Sequence, residues 1–367
     1  MSNITLFSLL VKISRYIKNL ITIHRFKLLI FFVTNRCNAK CKTCFYWGNL
    51  NKEVDELSIE EIKAISFYLG RFDTIQISGG EPFLRNDLDK ICEIFYKNNR
   101  ITAINIPTNC LLPEKIYATT EKILQVCPSA SITLCCALDG IGKTHDEIRG
   151  VEGNFEKFKV TIDLLKQLEK KYSNFTMFAL TTLCKDNYAE YDRIVEFVKV
   201  ELNINHNVDF TRQHTAEYEQ IEDVPTEVIK KINTDNLDKL YLYSKHNILR
   251  GIVQIGGRKI FNKILENARE GREWPLRCFA GRTTVVLEPN GDVRLCEHRG
   301  IVGDVRKANY NIFKVLKGKK AISMKKEIIK SHCSCDHSVF INLSINSSRY
   351  YKIMELVEGL RCILWLR

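Results

Sequence analysis

Leu28-Leu29-Ile30-Phe31-Phe32-Val33 leads, after three intervening residues, into Cys37-Asn38-Ala39-Lys40-Cys41-Lys42-Thr43-Cys44. The apolar run Phe26–Val33 reads as a fully buried strand. The segment after it is a C-x3-C-x2-C loop leaving the end of that strand. Three thiolates on one tight loop can hold three irons of a cubane cluster, leaving the fourth iron open to another ligand. The alternative is three buried thiols packed as small hydrophobes. Lys40 and Lys42 interleave the cysteines, however, so the loop is not apolar. A zinc site needs four ligands, and no fourth candidate lies close by in sequence.

Further along the chain, β-rich apolar runs recur at Thr74–Ser78, Ala103–Pro107, Ser131–Ala137, Phe175–Thr182 and Val208–Phe210. Stretches of helical period separate them at Ser58–Leu69, Asp87–Asn98, Pro113–Val126, Phe155–Leu168 and Tyr188–Leu202. Strands alternating with helices mean βαβ units and a parallel sheet. Six such units predict an α/β fold, a partial (β/α)6 TIM-like barrel, with its site at the loops after the strands.

Those loops carry further motifs. Ile75-Gln76-Ile77-Ser78 is followed by Gly79-Gly80-Glu81-Pro82, and Ile104-Asn105-Ile106-Pro107 by Thr108-Asn109-Cys110. Thr133–Ala137 is followed by Leu138-Asp139-Gly140, then by His145-Asp146-Glu147-Ile148-Arg149-Gly150. With the cysteine loop, these blocks resemble the radical S-adenosylmethionine (SAM) enzymes over about residues 27–215. The resemblance implies that Cys37, Cys41 and Cys44 bind a 4Fe–4S cluster and that SAM binds its open iron. It also implies that Gly79, Gly80, Glu81, Pro82, Asn109, Asp139 and Arg149 bind SAM. Glu81 and the adjacent backbone would hold its amino group, and Arg149 its carboxylate, since a guanidinium fork suits that group. Three positions depart from the usual pattern. Thr43 stands where an aromatic residue often precedes the third cysteine, Ala137 where serine is frequent, and Cys110 where glycine is usual.

Fourteen cysteines are many for this length, and no apolar stretch near the start has the form of a secretory signal, so metal binding in a reducing compartment is expected. Cys278, Cys296, Cys333 and Cys335 form a second group. Thr283–Glu288, Pro289-Asn290-Gly291-Asp292 and Val293–Cys296 read as a β-hairpin. Its spacing, with Val302-Gly303-Asp304-Val305 beyond, resembles the SPASM and Twitch extensions of radical SAM enzymes. That resemblance implies an auxiliary 4Fe–4S cluster in a small cysteine-rich hairpin extension. A zinc ribbon on the same cysteines is the alternative, and His337 could replace one thiolate in the cramped Cys333-Ser334-Cys335 loop. Cys92, Cys110, Cys127, Cys135, Cys136, Cys184 and Cys362 lack ligand spacing and read as buried thiols.

The chain has 367 residues and a net charge of +12, unevenly spread. Residues 1–52 hold nine basic and no acidic residues, residues 301–367 thirteen basic and five acidic, and the middle 33 basic and 38 acidic. A nucleic-acid enzyme would gather its basic surplus around the phosphate-binding site, so nucleic acid is not an expected partner. No apolar run approaches the roughly 18 residues of a membrane span. From Leu6 to Ile21 an apolar stripe faces away from Lys12, Arg15 and Lys18, and Ile353–Leu366 is an apolar tail containing Trp365. Together these suggest peripheral contact with an anionic membrane, with helices packed on the barrel as the alternative.

The expected organisation is a basic helix over 1–26, a core over 27–215, a helical connector over 216–277, the iron–sulfur extension over 278–340 and an amphipathic tail over 341–367. The expected function is reductive cleavage of SAM to a 5′-deoxyadenosyl radical that takes a hydrogen atom from a peptide, sugar or lipid substrate. An auxiliary cluster would assist oxidation or rearrangement, and an electron donor of the flavodoxin or ferredoxin class would supply the reductant. The expected location is the cytoplasm, in solution or peripheral at the inner membrane face. An iron–sulfur electron carrier or a barrel with a structural zinc module are the rivals. No catalytic acid or base is assigned.

Overall fold

Six strands follow one another in the sheet as they do in the chain. They are β1 (Leu28–Thr34), β2 (Thr74–Gly79), β3 (Ala103–Thr108), β4 (Ser131–Ala137), β5 (Phe175–Leu183) and β6 (Asn205–Phe210), each parallel to the next. The computed structural model describes residues 26–211, 224–234 and 248–365. Parallel neighbours need crossover connections, and helices supply them. These are α1 (Ile59–Leu69), α2 (Leu88–Asn99), α3 (Pro113–Val126), α4 (Lys143–Arg149), α5 (Asn154–Lys171) and α6 (Tyr191–Glu196). α1 starts where Ser58 Oγ accepts from Glu61 N at 3.2 Å and the Glu61 carboxylate accepts from Ser58 N at 2.9 Å. This reciprocal cap satisfies two backbone donors that the helix leaves open. The single helix expected over Tyr188–Leu202 instead divides into a 3-10 turn, α6 and a π turn at Phe197–Glu201.

β1 is buried from Leu29 to Thr34, as its unbroken apolar run requires. β3, β4 and β5 alternate. Ile104, Ile106, Ile132, Leu134, Met177 and Ala179 are buried, while Asn105, Thr133, Cys135 and Phe178 on the other face are half-buried. The sheet does not close.

The hairpin expected near residue 290 joins this sheet directly. β7 (Thr284–Leu287) runs parallel to β1, with Leu28 opposite Thr284 and Phe31 opposite Leu287. β8 (Asp292–Arg294) and β9 (Ile301–Asp304) then add on antiparallel. β1 therefore lies between β2 and β7 in a nine-stranded sheet.

Two compact units emerge. One comprises Lys27–Pro225 and Thr284–Glu327, and the other includes Thr226–Thr283 and Ile328–Arg367. Two of the boundaries between them, after Thr283 and after Glu327, fall inside the stretch 278–340. The sheet unit also carries α9 (Ile312–Lys317), numbered after helices α7 (226–234) and α8 (Ile248–Arg269) of the helical unit. α10 (Lys319–Lys330) crosses a unit boundary, and α11 (Ser338–Asn346) and α12 (Arg349–Trp365) complete the helical unit. There α8 and α12 meet backbone to backbone, because a Cβ on Gly256 or Gly359 would overlap the carbonyl of Glu355 or Ile252. The apolar stripe Leu6–Ile21 lies outside the described residues. Among the described residues, no helix is long and apolar enough to cross a membrane.

Candidate functional site

The cysteine loop leaves the carboxyl end of β1 and is held from both sides. Asn51 clasps its start, donating from Nδ2 to Cys37 O at 3.1 Å and accepting at Oδ1 from Cys37 N at 2.9 Å. Asn35 Nδ2 donates to Asn49 O at 3.1 Å and Lys52 O at 2.7 Å, which closes the segment behind the loop. On the far side, Lys40 N and Lys42 N donate to Arg149 O at 3.0 Å and Ile148 O at 2.8 Å, the last carbonyls of α4. Buried Arg85 braces the base, donating to Val33 O at 2.8 Å and Leu57 O at 2.6 Å.

Cys37, Cys41 and Cys44 are half-buried and not joined in disulfides. Burial raises all three thiol pKa values, that of Cys44 to about 12 with help from the neighbouring Cys41. A sulfur there carries charge at neutral pH only against a bound cation, so the donor set suits metal ligation. Among the described residues, no three or more His, Cys, Asp or Glu side chains converge on a site for a single ion. Three thiolates on a loop can instead serve three separate irons.

The Gly79-Gly80-Glu81 segment runs against the chain entering this loop. Gly80 N donates to Thr34 O at 2.8 Å and Glu81 N to Arg36 O at 2.9 Å. The approach leaves no room for side chains, since a Cβ on Gly79 or Gly80 would overlap the carbonyl of Thr34 or Arg36. Glu81 is buried and accepts from Asn109 N at 2.7 Å, Thr108 Oγ1 at 3.1 Å and Phe83 N at 3.2 Å. Burial pushes its carboxyl up to about 7 despite these three donors. The last of them belongs to the turn Pro82–Leu84, which Pro82 begins. Asn109 completes the ring, with Nδ2 donating to Asn38 Oδ1 at 2.8 Å and lying 4.0 Å from Cys37 Sγ. Cys110 follows at φ +62°, the left-handed conformation that makes glycine the usual occupant.

The block after β4 forms a second network. Asp139 is buried, accepts at Oδ1 from Thr182 N at 2.8 Å, and pairs through Oδ2 with Arg149 NH1 at 3.1 Å. Its N–H donates to His145 Nδ1 at 3.0 Å, so the proton of that neutral ring is on Nε2. Burial, with the nearby Arg149 charge, holds His145 down at about 3. Arg149, the last residue of α4, thus turns its side chain onto a buried carboxylate.

Residues 31–198 match the model of the radical SAM superfamily. That stretch of the chain is similar to radical SAM domains. Among its relatives, Fe-coproporphyrin III synthase of Methanosarcina barkeri is 34% identical over 131 residues, 35% of this chain and 31% of that one. The antilisterial bacteriocin subtilosin biosynthesis protein AlbA of Bacillus subtilis is 25% identical over 72% of this chain and 54% of its own. The solved structure of anSMEcpe with bound AdoMet and a Cp18Cys peptide shares the fold, at a TM-score of 0.59 and 16% identity over 94% of this chain and 100% of that one. The chain spans between about a third and three fifths of the curated relatives matched first.

The cofactors of a radical SAM domain are a 4Fe–4S cluster and SAM, and the cysteine loop fits the cluster. The domain brings Gly79, Gly80, Glu81, Pro82 and Asn109 into one network with the loop, and Asp139 and Arg149 into another. The aromatic run after Cys44 turns inward at Tyr46, which packs on Phe32 edge to face at 4.8 Å and donates to Glu288 at 2.7 Å. Sequence reading missed the clamps Asn35, Asn51 and Arg85, and the buried Asn154 and Asn187. Asn154 donates to Asn109 O at 2.9 Å and Asn187 to Asp139 O at 2.8 Å. Asparagines are common in turns and at helix starts, so their type alone gave no signal.

Of the second cysteine group, Cys296 belongs to the sheet unit, and Cys278, Cys333 and Cys335 to the helical unit. In the helical unit Trp274 Nε1 donates to Cys335 O at 2.9 Å, and buried Asp336 pairs with Arg269 at 3.0 Å. His337 Nδ1 accepts from Val339 N at 3.3 Å and caps α11.

Proposed function

We propose that this chain is a radical SAM enzyme acting on a peptide. The reading rests on the cysteine loop lying against the Gly79–Glu81 backbone at the carboxyl ends of β1 and β2. When bound, the cluster supplies the electron that splits SAM into methionine and a 5′-deoxyadenosyl radical, which removes a hydrogen atom from the substrate. Cys37, Cys41 and Cys44 would be the protein ligands of that cluster. Gly79, Gly80, Glu81 and Pro82 would present the backbone and carboxylate that orient SAM, with Asn109 and Asp139 fixing the loops around it. Such chemistry would require the occupied site to exclude water and stray hydrogen donors.

Support for a peptide comes from AlbA, a bacteriocin biosynthesis protein by name, and from the peptide bound to anSMEcpe. The half-buried sheet face adds to it. Gln76, Asn105, Thr133 and Thr176 lie in register across four strands, neutral and polar, and such side chains can match amide groups. Cys278, Cys296, Cys333 and Cys335 would bind an auxiliary 4Fe–4S cluster, and a flavodoxin- or ferredoxin-class protein would deliver the electron. The basic chain ends would give peripheral contact with an anionic membrane.

Anaerobic reconstitution with iron and sulfide, then SAM and dithionite, tests the reading. The wild type should form 5′-deoxyadenosine, and Cys37→Ala, Cys41→Ala and Cys44→Ala should each abolish it. Undiminished cleavage by Cys41→Ala would sink the assignment.

A further inference from the structure

Arg149 joins the two networks of the site. Its carbonyl and that of Ile148 receive the Lys40 and Lys42 N–H groups, so its backbone lies directly against the chain on either side of Cys41. Its side chain turns inward and is only 12% exposed. One edge of the guanidinium is occupied by Asp139, and Asp139 is itself fixed by Thr182 N at Oδ1, by Asn187 at its carbonyl and by His145 at its N–H. Nε is buried and has no hydrogen-bond partner among the described residues. A buried N–H without a partner is uncommon enough to need a reason.

The charges around the loop differ in kind. Lys40 and Lys42 point into solvent, where water and salt screen them, and Lys42 is paired with Asp186 at 2.8 Å. Glu81 and Asp139 are buried acids. Arg149 is the cation beside Asp139, at 3.1 Å, with a side chain that water scarcely reaches. Its charge therefore acts through protein rather than through water, where charge interactions are strongest.

We infer that Arg149 is a positioning residue that sets the charge of the first cluster's pocket, bracing the loop at Lys40 and favouring the reduced cluster. The inference rests on the proposed cluster at Cys37, Cys41 and Cys44. Reduction would add one negative charge, which a fixed and nearly buried cation beside the loop would stabilise. Net charge and hydrogen bonds to sulfur are what tune the potential of such clusters. Asp139 partly cancels the cation, so the pair works as an adjustable charge.

The test is a redox titration of the reconstituted full-length chain, followed by the electron paramagnetic resonance signal that changes on adding SAM. Arg149→Met should move the midpoint to more negative potential, and Asp139→Asn to more positive potential. Arg149→Lys, which keeps the charge, should stay nearer the wild type than Arg149→Met. If Arg149→Met holds no iron, Asp139→Asn still decides the question through the sign of its shift, a negative or absent shift overturning the inference. Unchanged potentials, or shifts of the same sign in Arg149→Met and Asp139→Asn, would overturn the inference. A wild-type chain without any SAM-responsive cluster would instead overturn the proposed function.

Discussion

The Tyr46 hydroxyl donates to Glu288 Oε2 across 2.7 Å, tying the chain two residues beyond Cys44 to the residue just after β7. Burial raises the Glu288 carboxyl, while Tyr46 and Arg294, the latter at 2.8 Å, hold it down. Tyr46→Phe removes the donor and leaves a buried acceptor unpaired, a change worth about 1–3 kcal/mol. Urea unfolding should show that loss, with Glu288 titrating higher than in the wild type. An unchanged unfolding midpoint would mean that water replaces the hydroxyl.

Gly80→Ala should prevent cluster assembly. The new Cβ would meet the Arg36 carbonyl just before Cys37, and the strand end cannot shift without breaking the Glu81 N to Arg36 O bond. Backbone strain of this kind costs about 1–3 kcal/mol. Iron content after reconstitution is the measurement, and a full iron complement in the variant would refute the requirement.

Glu81 should leave a mark on the pH dependence of stability. Its carboxyl keeps its proton up to about pH 7 when folded, against about 4.5 in an unperturbed side chain. The folded state therefore binds more protons between these values, and stability falls as pH rises through that window. The fall amounts to about 3 kcal/mol and levels off once the folded group has ionised. Unfolding midpoints of the cluster-free protein across the window should slope in the wild type and be flatter in Glu81→Gln. Equal slopes would place the titration elsewhere.

Iron counting separates the two cysteine groups. With both clusters present the wild type should hold about eight irons, and a Cys37/Cys41/Cys44 triple alanine variant about four. One equivalent of zinc with a single cluster's iron would identify the C-terminal cysteines as a structural zinc site.

Membrane contact should follow charge. The intact chain should co-sediment with phosphatidylglycerol-containing vesicles at low salt, release at high salt and ignore phosphatidylcholine vesicles. Each basic residue near an anionic surface contributes about 1 kcal/mol, so Lys12, Arg15 and Lys18 together would suffice for weak binding. Binding that persists unchanged after removal of residues 1–24 would move the contact away from this segment.

The sequence by itself determined the alternating strands and helices and the positions of the motif loops. Hydrophobic period is a local property, and an uninterrupted run such as Leu28–Val33 can be satisfied only by burial on both faces. It also determined the ligand spacing from Cys37 to Cys44, because three thiols within eight residues need no tertiary contact to be neighbours. Only the tertiary structure decided that β7 lies beside β1, since nothing in Thr284–Leu287 names its partner strand across the 249 residues between them. It likewise decided that Asn51 clasps Cys37, that Arg149 turns inward to Asp139, and that Cys296 falls in a different compact unit from Cys278, Cys333 and Cys335. A polar side chain takes its role from the groups that burial brings to it, and burial is set by the whole chain rather than by its neighbours in sequence.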